Sequence, residues 1–351
     1  MTVATLPRLG FLGVGWIGRN RMEVLARDGL ARVTAVADPQ PEALEAAAEV
    51  APSATRAESL EELLEHELDG IVIATPSALH AEQATAALER GLAVFCQKPL
   101  ARDAAETRRV LEAARAADRL LAVDLSYRQV EALRAAHEQV ASGAIGQLHT
   151  LDLVFHNAYG PDKPWFTDPE LAGGGCLIDL GTHLVDLALW LTEAARSSDR
   201  NPVVPSGGNT SERNHAIGVE AARALSLHGH AVEDHATAEL ALGDEARARV
   251  ACSWFSSAGR DCVFECTAWG EEGAVSVRNV GGSFYDFRAE LWHGTSAETL
   301  VEPPDEWAGR AIAAWAERLR GDRSYDPAAD ELEAVAETID AIYAAAGRGG
   351  R

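Results

Sequence analysis

Residues 9–18 read Leu9-Gly10-Phe11-Leu12-Gly13-Val14-Gly15-Trp16-Ile17-Gly18, and this stretch decides the fold. A short apolar strand runs into Gly-x-Gly-x-x-Gly, and an amphipathic helical pattern (17–28) follows without a break. In such a turn Gly13 makes the tight bend, Gly15 lets a pyrophosphate approach the backbone, and Gly18 lets the helix lie close on the strand. The first N–H groups of the helix, at the positive end of its dipole, are available to the phosphates. Trp16 and Ile17 fall inside the loop and are candidate contacts of the same ligand. Asp38 follows the next apolar run, twenty residues after Gly18. A carboxylate there accepts hydrogen bonds from the ribose hydroxyls of a dinucleotide and repels a 2′-phosphate. Pro39 and Gln40 supply no cation for that phosphate. The expected cofactor is therefore NAD, with NADP the weaker reading.

Outward from this loop, strand patterns at 9–13, 33–37, 71–74, 93–96 and 120–124 alternate with helical patterns at 17–28, 41–50, 60–66, 78–90 and 104–117. Ser59 to Glu62 forms a capping box, and Asp103 is an N-cap for the helix after it. Strict alternation implies right-handed crossovers and a parallel sheet. Beyond residue 125 the pattern changes. Helical 129–142 leads into an alternating strand at 148–156, and a helix is expected from 176 to 191. Residues 195–214 are polar and rich in Gly and Pro, as a surface loop is. Strands at 236–242, 247–255, 263–269, 274–279 and 284–292 lie within a strand-and-turn region from 219 to 300. Several alternate apolar with polar residues, as an antiparallel sheet with one covered face does. Helices at 306–320 and 328–346 follow, and the tail 347–351 is expected to be disordered. The fold class is α/β: a Rossmann doubly wound parallel sheet over 1–124, then an α/β domain with a largely antiparallel open sheet over 125–351.

The chain's 351 residues suit two domains rather than one. A net charge of −23 repels nucleic acid and anionic membrane, which leaves a small molecule as the expected partner. No run approaches eighteen uninterrupted apolar residues, so no membrane span is expected, and the N-terminus lacks the pattern of a secretion signal. A cytoplasmic protein is expected, in which the Asn209-Thr210-Ser211 sequon carries no meaning. The five cysteines, at 96, 176, 252, 262 and 266, are odd in number, lack Cys-x-x-Cys, and read as reduced buried thiols. Arginine serves as almost every cation. The only lysines are Lys98 and Lys163, which marks both as positions that arginine does not replace.

The polar groups that can carry chemistry fall at the carboxyl ends of the parallel strands. Thr75-Pro76-Ser77 follows the strand at 71–74, and His80 comes one helical turn later. Gln97-Lys98-Pro99 and Leu125-Ser126-Tyr127-Arg128 follow the next two. That edge is where open α/β sheets bind ligands. Lys98 beside a positive nicotinamide can hydrogen-bond a reacting oxygen and stabilise alkoxide charge. In Gly173-Gly174-Gly175-Cys176-Leu177-Ile178-Asp179-Leu180-Gly181-Thr182-His183, a helix would put Asp179 and His183 on one face, as four-residue spacing does. A carboxylate that orients an imidazole suits general acid–base catalysis. Two such ligands are too few for a metal, and His228, His230 and His235 read as loop histidines, so no metal is expected.

These motifs, in this order and spacing, resemble the Gfo/Idh/MocA family, to which glucose–fructose oxidoreductase and inositol dehydrogenase belong. The resemblance rests on the glycine loop, Ala-Thr-Pro-Ser-Ala-Leu-His at 74–80, Gln-Lys-Pro at 97–99, and the Gly-Gly-Gly…Asp…His run at 173–183, with 157–166 and 232–234 also similar. It covers nearly the whole chain. It implies a hydride exchanged between nicotinamide and a secondary alcohol or ketone carbon of a sugar, cyclitol or nucleotide sugar. It implies a homodimer or homotetramer built through the second domain's sheet. It assigns Lys98 to the reacting oxygen, His183 to its proton, and Asp179 to orienting substrate or imidazole. Gly13, Gly15, Trp16, Ile17, Gly18, Asp38, Thr75, Pro76, His80, Gln97 and Lys98 would line the cofactor. Arg128, His156, Lys163, Trp165 and Thr182 would join the catalytic residues around a polyhydroxylated substrate. Many members have Glu-Lys-Pro; here Gln97 removes a negative charge beside Lys98. The alternatives are a non-sugar reductase of the dihydrodiol or tetrapyrrole type, a hydrolase or eliminase that recycles its NAD, and a non-catalytic dinucleotide sensor. The last should lack Lys98 and His183, and both are present.

Overall fold

A computed structural model describes residues 5–197, 217–243 and 246–348. The sequon at 209–211, most of the expected loop at 195–214 and the last three residues of the tail lie outside the described residues. The chain divides into two units: the described residues of Met1–Ser126 with Gly309–Glu333, and those of Tyr127–Ala308 with Ala334–Arg351.

In the first unit β1 (Arg8–Leu12), β2 (Arg32–Ala37), β3 (Thr55–Ala57), β4 (Gly70–Ile73), β5 (Ala93–Cys96) and β6 (Leu121–Val123) form one sheet in the order β3-β2-β1-β4-β5-β6. Every pairing is parallel. The crossovers carry α1 (Trp16–Arg27), α2 (Pro41–Val50), α3 (Leu60–Leu63), α4 (Ser77–Glu89) and α5 (Ala104–Ala117). Both sheet faces are covered, so β4 and β5 are buried at every residue. Alternate side chains enter opposite cores: Ile71, Ile73, Val94 and Cys96 join one cluster, Val72, Ala93 and Phe95 the other. Burial of each Val, Ile or Phe side chain among these stabilises by roughly 1.5–3 kcal/mol. The expected caps form, with the N–H of Glu62 donating to Ser59 Oγ and that of Glu106 to Asp103 Oδ1. The sequence pattern did not reveal β3, because a three-residue edge strand paired only to β2 has no period to detect.

The expected division at residue 124 also did not anticipate the return of Gly309–Glu333 to the first unit. Its helix, Arg310–Gly321, buries Ile312, Trp315, Ala316 and Leu319 in the cluster that holds Phe95. Trp315 lies 5.6 Å from the Phe95 ring. An amphipathic pattern shows that a helix has an apolar face, not which core receives it.

The second unit is built on an eight-stranded sheet of β7 (Leu148–Asn157), β8 (Ile217–Leu225), β9 (His235–Leu242), β10 (Ala246–Ser253), β11 (Cys262–Gly270), β12 (Ala274–Asn279), β13 (Phe287–His293) and β14 (Ser296–Val301). Their order is β14-β13-β12-β11-β7-β10-β9-β8. All neighbours are antiparallel except β7 and β10. Against it pack α6 (Glu131–Ala141) and α8 (Thr182–Arg196), with α7 (Pro169–Ala172) short and upstream. The stretch Pro169–Arg196 is long and apolar enough to cross a membrane by length and composition, but 83% of that window is buried in the protein. It is core. The helix expected from residue 176 is not α-helical at its start: Leu177–Gly181 forms a π turn before α8 begins.

Candidate active site

The three loop glycines are required for three different reasons. Gly13 has φ +84°, and a Cβ there would lie 2.5 Å from Ala74 O. A Cβ on Gly18 would lie 2.1 Å from Gly13 O. Gly15 has no atom within 4 Å of that position, so its backbone faces open space. Gly15 is also the N-cap of α1 and offers no side-chain cap, which leaves the first helical N–H groups for an anion. Asp38 is fixed at the end of β2: Val14 N–H donates to its Oδ2 at 2.8 Å and Gln40 N–H to its Oδ1 at 2.9 Å. Trp16 is 61% exposed, and Ile17 is half-buried beside it. An open glycine backbone, a free helix terminus and a fixed carboxylate are the donor and acceptor set that a dinucleotide uses.

The loops after β4 and β5 are tied together. Thr75 Oγ1 donates to Gln83 Oε1 at 2.6 Å. His80 is buried, with Nδ1 2.7 Å from Pro99 O and Nε2 2.7 Å from Thr75 O. Burial pushes its imidazole below the usual histidine range; the two carbonyl contacts oppose this, and the Lys98 charge adds to it. His80 thus spans the segment from Thr75 and Pro76 to Lys98 and Pro99. Gln97 is buried with its amide on Asp124, and Lys98 is half-buried.

In the second unit Gly173 takes φ +81° as it closes α7, and Gly174 and Gly175 are explained by close approach. A Cβ on Gly174 would lie 2.2 Å from Tyr343 Oη, and one on Gly175 1.8 Å from Glu233 O. The buried Glu233 carboxylate accepts from Gly175 N–H (2.9 Å), Leu177 N–H (3.0 Å) and Tyr343 Oη (2.6 Å). The N–H of Cys176 donates to Glu233 O at 2.9 Å. These bonds hold the chain where it enters the π turn that carries Asp179. Asp179 therefore lies in the π turn and His183 in the first turn of α8. Asp179 Oδ2 accepts from Trp254 Nε1 at 3.0 Å, and the buried His183 ring lies 4.7 Å from the Tyr127 ring. Burial holds the Tyr127 phenol well above its ordinary range, with Cys262 and Asp179 adding to the shift.

The other expected pocket residues have the following surroundings. Parallel pairing of β7 with β10 sets His156 beside Ser253, and antiparallel β9 sets His235 beside Ser253. His156 Nδ1 lies 2.7 Å from Ser253 Oγ, and its ring stacks parallel to His235 at 6.4 Å. Burial, then the His235 charge, pushes His156 below the usual histidine range. Trp165 stacks on Phe166 at 3.9 Å. Lys163 is exposed, 3.8 Å from Asp162. Arg128 pairs with the buried Asp186 at 2.6 Å and lies over Trp190, and Thr182 Oγ1 donates to Ile178 O of the preceding π turn at 2.7 Å. Asp124, Glu233, Trp254 and Tyr127 are structural partners to which the sequence reading gave no role. Asp124 and Tyr127 had a legible signal in their place at the carboxyl end of a parallel strand, and Glu233 lay in the segment 232–234 that resembles the family.

Fold and loop together define a nucleotide-binding protein of the Rossmann type. Residues 7–125 match the model described as "Oxidoreductase family, NAD-binding Rossmann fold" and residues 133–276 that of the "GFO/IDH/MocA C-terminal domain". The chain belongs to the GFO/IDH/MocA oxidoreductase family, whose members resembling it are named dehydrogenases or reductases acting on sugar hydroxyl or keto groups. It is 29% identical to a putative UDP-kanosamine synthase oxidoreductase subunit from Amycolatopsis mediterranei, over 97% of this chain and 96% of that one. It is 27% identical to inositol 2-dehydrogenase 4 from Saccharopolyspora erythraea, over 88% and 90%. The crystal structure of KijD10, a 3-ketoreductase from Actinomadura kijaniata in complex with NADP and TDP-benzene, superposes with a TM-score of 0.81 at 19% identity, covering 97% and 98%. At that identity the likeness is one of fold.

Proposed function

We propose that this protein is a cytoplasmic, homo-oligomeric, NAD-dependent oxidoreductase that interconverts a secondary alcohol and a ketone on a sugar, cyclitol or nucleotide sugar. The observation that carries the reading is a convergence on one sheet edge. The open Gly15 backbone, the fixed Asp38 carboxylate, the Thr75 and His80 tie, and Lys98 all follow carboxyl ends of parallel strands. The curated relatives' names support the substrate class. Asp38, with no cation at Pro39 or Gln40, favours NAD over NADP. When bound, NAD supplies the site that accepts or returns a hydride. Lys98 donates a hydrogen bond to the reacting oxygen and stabilises its negative charge. His183 takes or returns the hydroxyl proton, and Asp179, held by the Trp254 indole, orients the alcohol.

The test is NADH formation from NAD across cyclitols, aldoses, glycosides and nucleotide sugars, with Lys98→Met and His183→Asn beside the unaltered chain. A signal lost in both variants is expected. Turnover that survives Lys98→Met would end the assignment of Lys98. Silence across the panel in protein that binds NADH would favour an internally recycled cofactor or a sensor.

A further inference from the structure

The peptide that presents Lys98 is gripped by a buried polar cluster with no role in the reaction described above. Asp124 stands one residue beyond β6 and is 1% exposed. Its Oδ2 accepts from Arg21 Nε at 2.6 Å and from Gln97 Nε2 at 2.5 Å, and its Oδ1 from Ser126 Oγ at 2.8 Å. Arg21, on α1, is buried too, so one ion pair is enclosed, and Arg21 Nη1 also donates to Asn20 Oδ1 at 2.7 Å. Gln97 is also fixed through its backbone, whose N–H donates to Ile73 O at 2.9 Å. On the far side of Lys98, Pro99 O is held by His80 Nδ1. Lys98 is therefore bracketed by two anchored residues, and one anchor leads through Asp124 to the helix that opens at Gly15.

The charge balance of this cluster selects the residue at 97. Asp124 supplies one negative charge and Arg21 one positive charge. The remaining partner must be a donor that brings no second negative charge. Glutamate would set two buried carboxylates 2.5 Å apart, a pair that ionises fully only at high cost and otherwise shares a proton. The charged or titratable groups around the Gln97 amide are Asp124 after β6, Arg21 on α1, Cys96 on β5 and the adjacent Lys98, with His80 of α4 beyond it. The Cys96 thiol is pushed up by burial and then by the Asp124 charge.

We propose that Gln97 and Asp124, with Arg21, are positioning residues that hold Lys98 in register with the dinucleotide-binding helix, and that Asp124 makes glutamine obligatory at position 97. The proposal deepens the reading of Lys98 as the residue at the reacting oxygen, but its test needs no turnover. Lys98 and Lys163 are the only lysines in the chain, so each reports on the other. The full chain, Gln97→Glu and Gln97→Met are treated with formaldehyde and cyanoborohydride. Methylation of Lys98 relative to exposed Lys163 is then read by mass spectrometry from pH 5.5 to 8, and melting temperature is followed over the same range.

In Gln97→Met the donor is lost without a new charge, and the Lys98 to Lys163 ratio should change by about threefold or more at every pH. In Gln97→Glu the new carboxyl has a folded pKa raised above its unfolded value. Its stabilising protonated form is therefore lost as pH rises. The melting deficit against the unaltered chain should grow by about 5 °C between pH 5.5 and 8, and the labelling ratio should depart from normal over the same window. A ratio in Gln97→Met equal to the unaltered chain, or a Gln97→Glu deficit constant with pH, overturns the proposal. Either readout decides it even where no substrate has been found. Loss of turnover in Lys98→Met bears on the reaction alone.

Discussion

Gly15→Ala separates the ligand-facing glycine from the two that the fold itself requires. An added Cβ meets no atom within 4 Å, and the backbone there, at φ −60° and ψ −168°, is extended and open to alanine. Two small effects on folding oppose each other. Alanine restricts the unfolded chain, which stabilises by about 0.4–1 kcal/mol, and it is a poorer N-cap than glycine by about the same amount. The net change should stay within about 1 kcal/mol, a shift of about 3 °C or less in melting temperature. Ligand binding should respond very differently. If a phosphate approaches this backbone, the methyl group fills the approach and weakens at least one hydrogen bond to a charged group, worth about 1.5–3 kcal/mol. That is a roughly ten- to hundredfold weaker Kd for NADH. The assays are a thermal melt and a fluorescence titration with NADH. An unchanged Kd would refute the claim that the Gly15 backbone receives the dinucleotide. A large fall in melting temperature would refute the claim that the space is open. Gly18→Ala is the internal control, since its Cβ would sit 2.1 Å from Gly13 O and stability should suffer first.

Gly175→Ala should be costly in the second unit: its Cβ would lie 1.8 Å from Glu233 O, so backbone must move and the bonds that Glu233 accepts from Gly175, Cys176 and Leu177 weaken together. At about 1 kcal/mol per bond plus overpacking, a loss of roughly 4 kcal/mol is expected in denaturant melts, and a loss below about 1 kcal/mol would show that the loop yields freely. Asp38→Ser with Pro39→Arg should move the ratio of NADPH to NADH affinity upward by about tenfold or more, the scale of one charge-assisted contact; an unchanged ratio would remove Asp38 from the ribose. His80, His137 and His156 are each pushed below the ordinary value of 6.5, burial being the largest cause. Their neutral forms contribute stability that is complete above about pH 6.5 and is lost as pH falls through the depressed folded values. Melting temperature should therefore drop between pH 7 and pH 5, and His156→Gln should flatten that slope; an identical slope would show that His156 does not take part.

Much of the first unit was legible from local pattern. The glycine loop, Asp38 and the alternation of strand and helix are written in consecutive residues, because periodicity, capping and a left-handed φ are local requirements. Lys98 stood out because this chain has almost no lysine. The same local reasoning missed β3, which is too short to show a period, and it expected one helix over 176–191, of which the part from Thr182 is α-helical and Leu177–Gly181 is a π turn.

The class of fold, the nucleotide-binding loop and the residues with chemistry to offer could be read from the order of the amino acids. What those residues are bonded to depends on how distant segments pack. Arg21 reaches Asp124 across 103 positions, and Gln97 reaches it across 27. Arg128, read as a substrate contact, has buried Asp186 for a partner. His156, Ser253 and His235 meet through strand register, and Gly309–Glu333 joins the first unit rather than the second. Such pairings follow from burial: a charged or polar group removed from water must find a partner, and the nearest one is set by packing between distant segments.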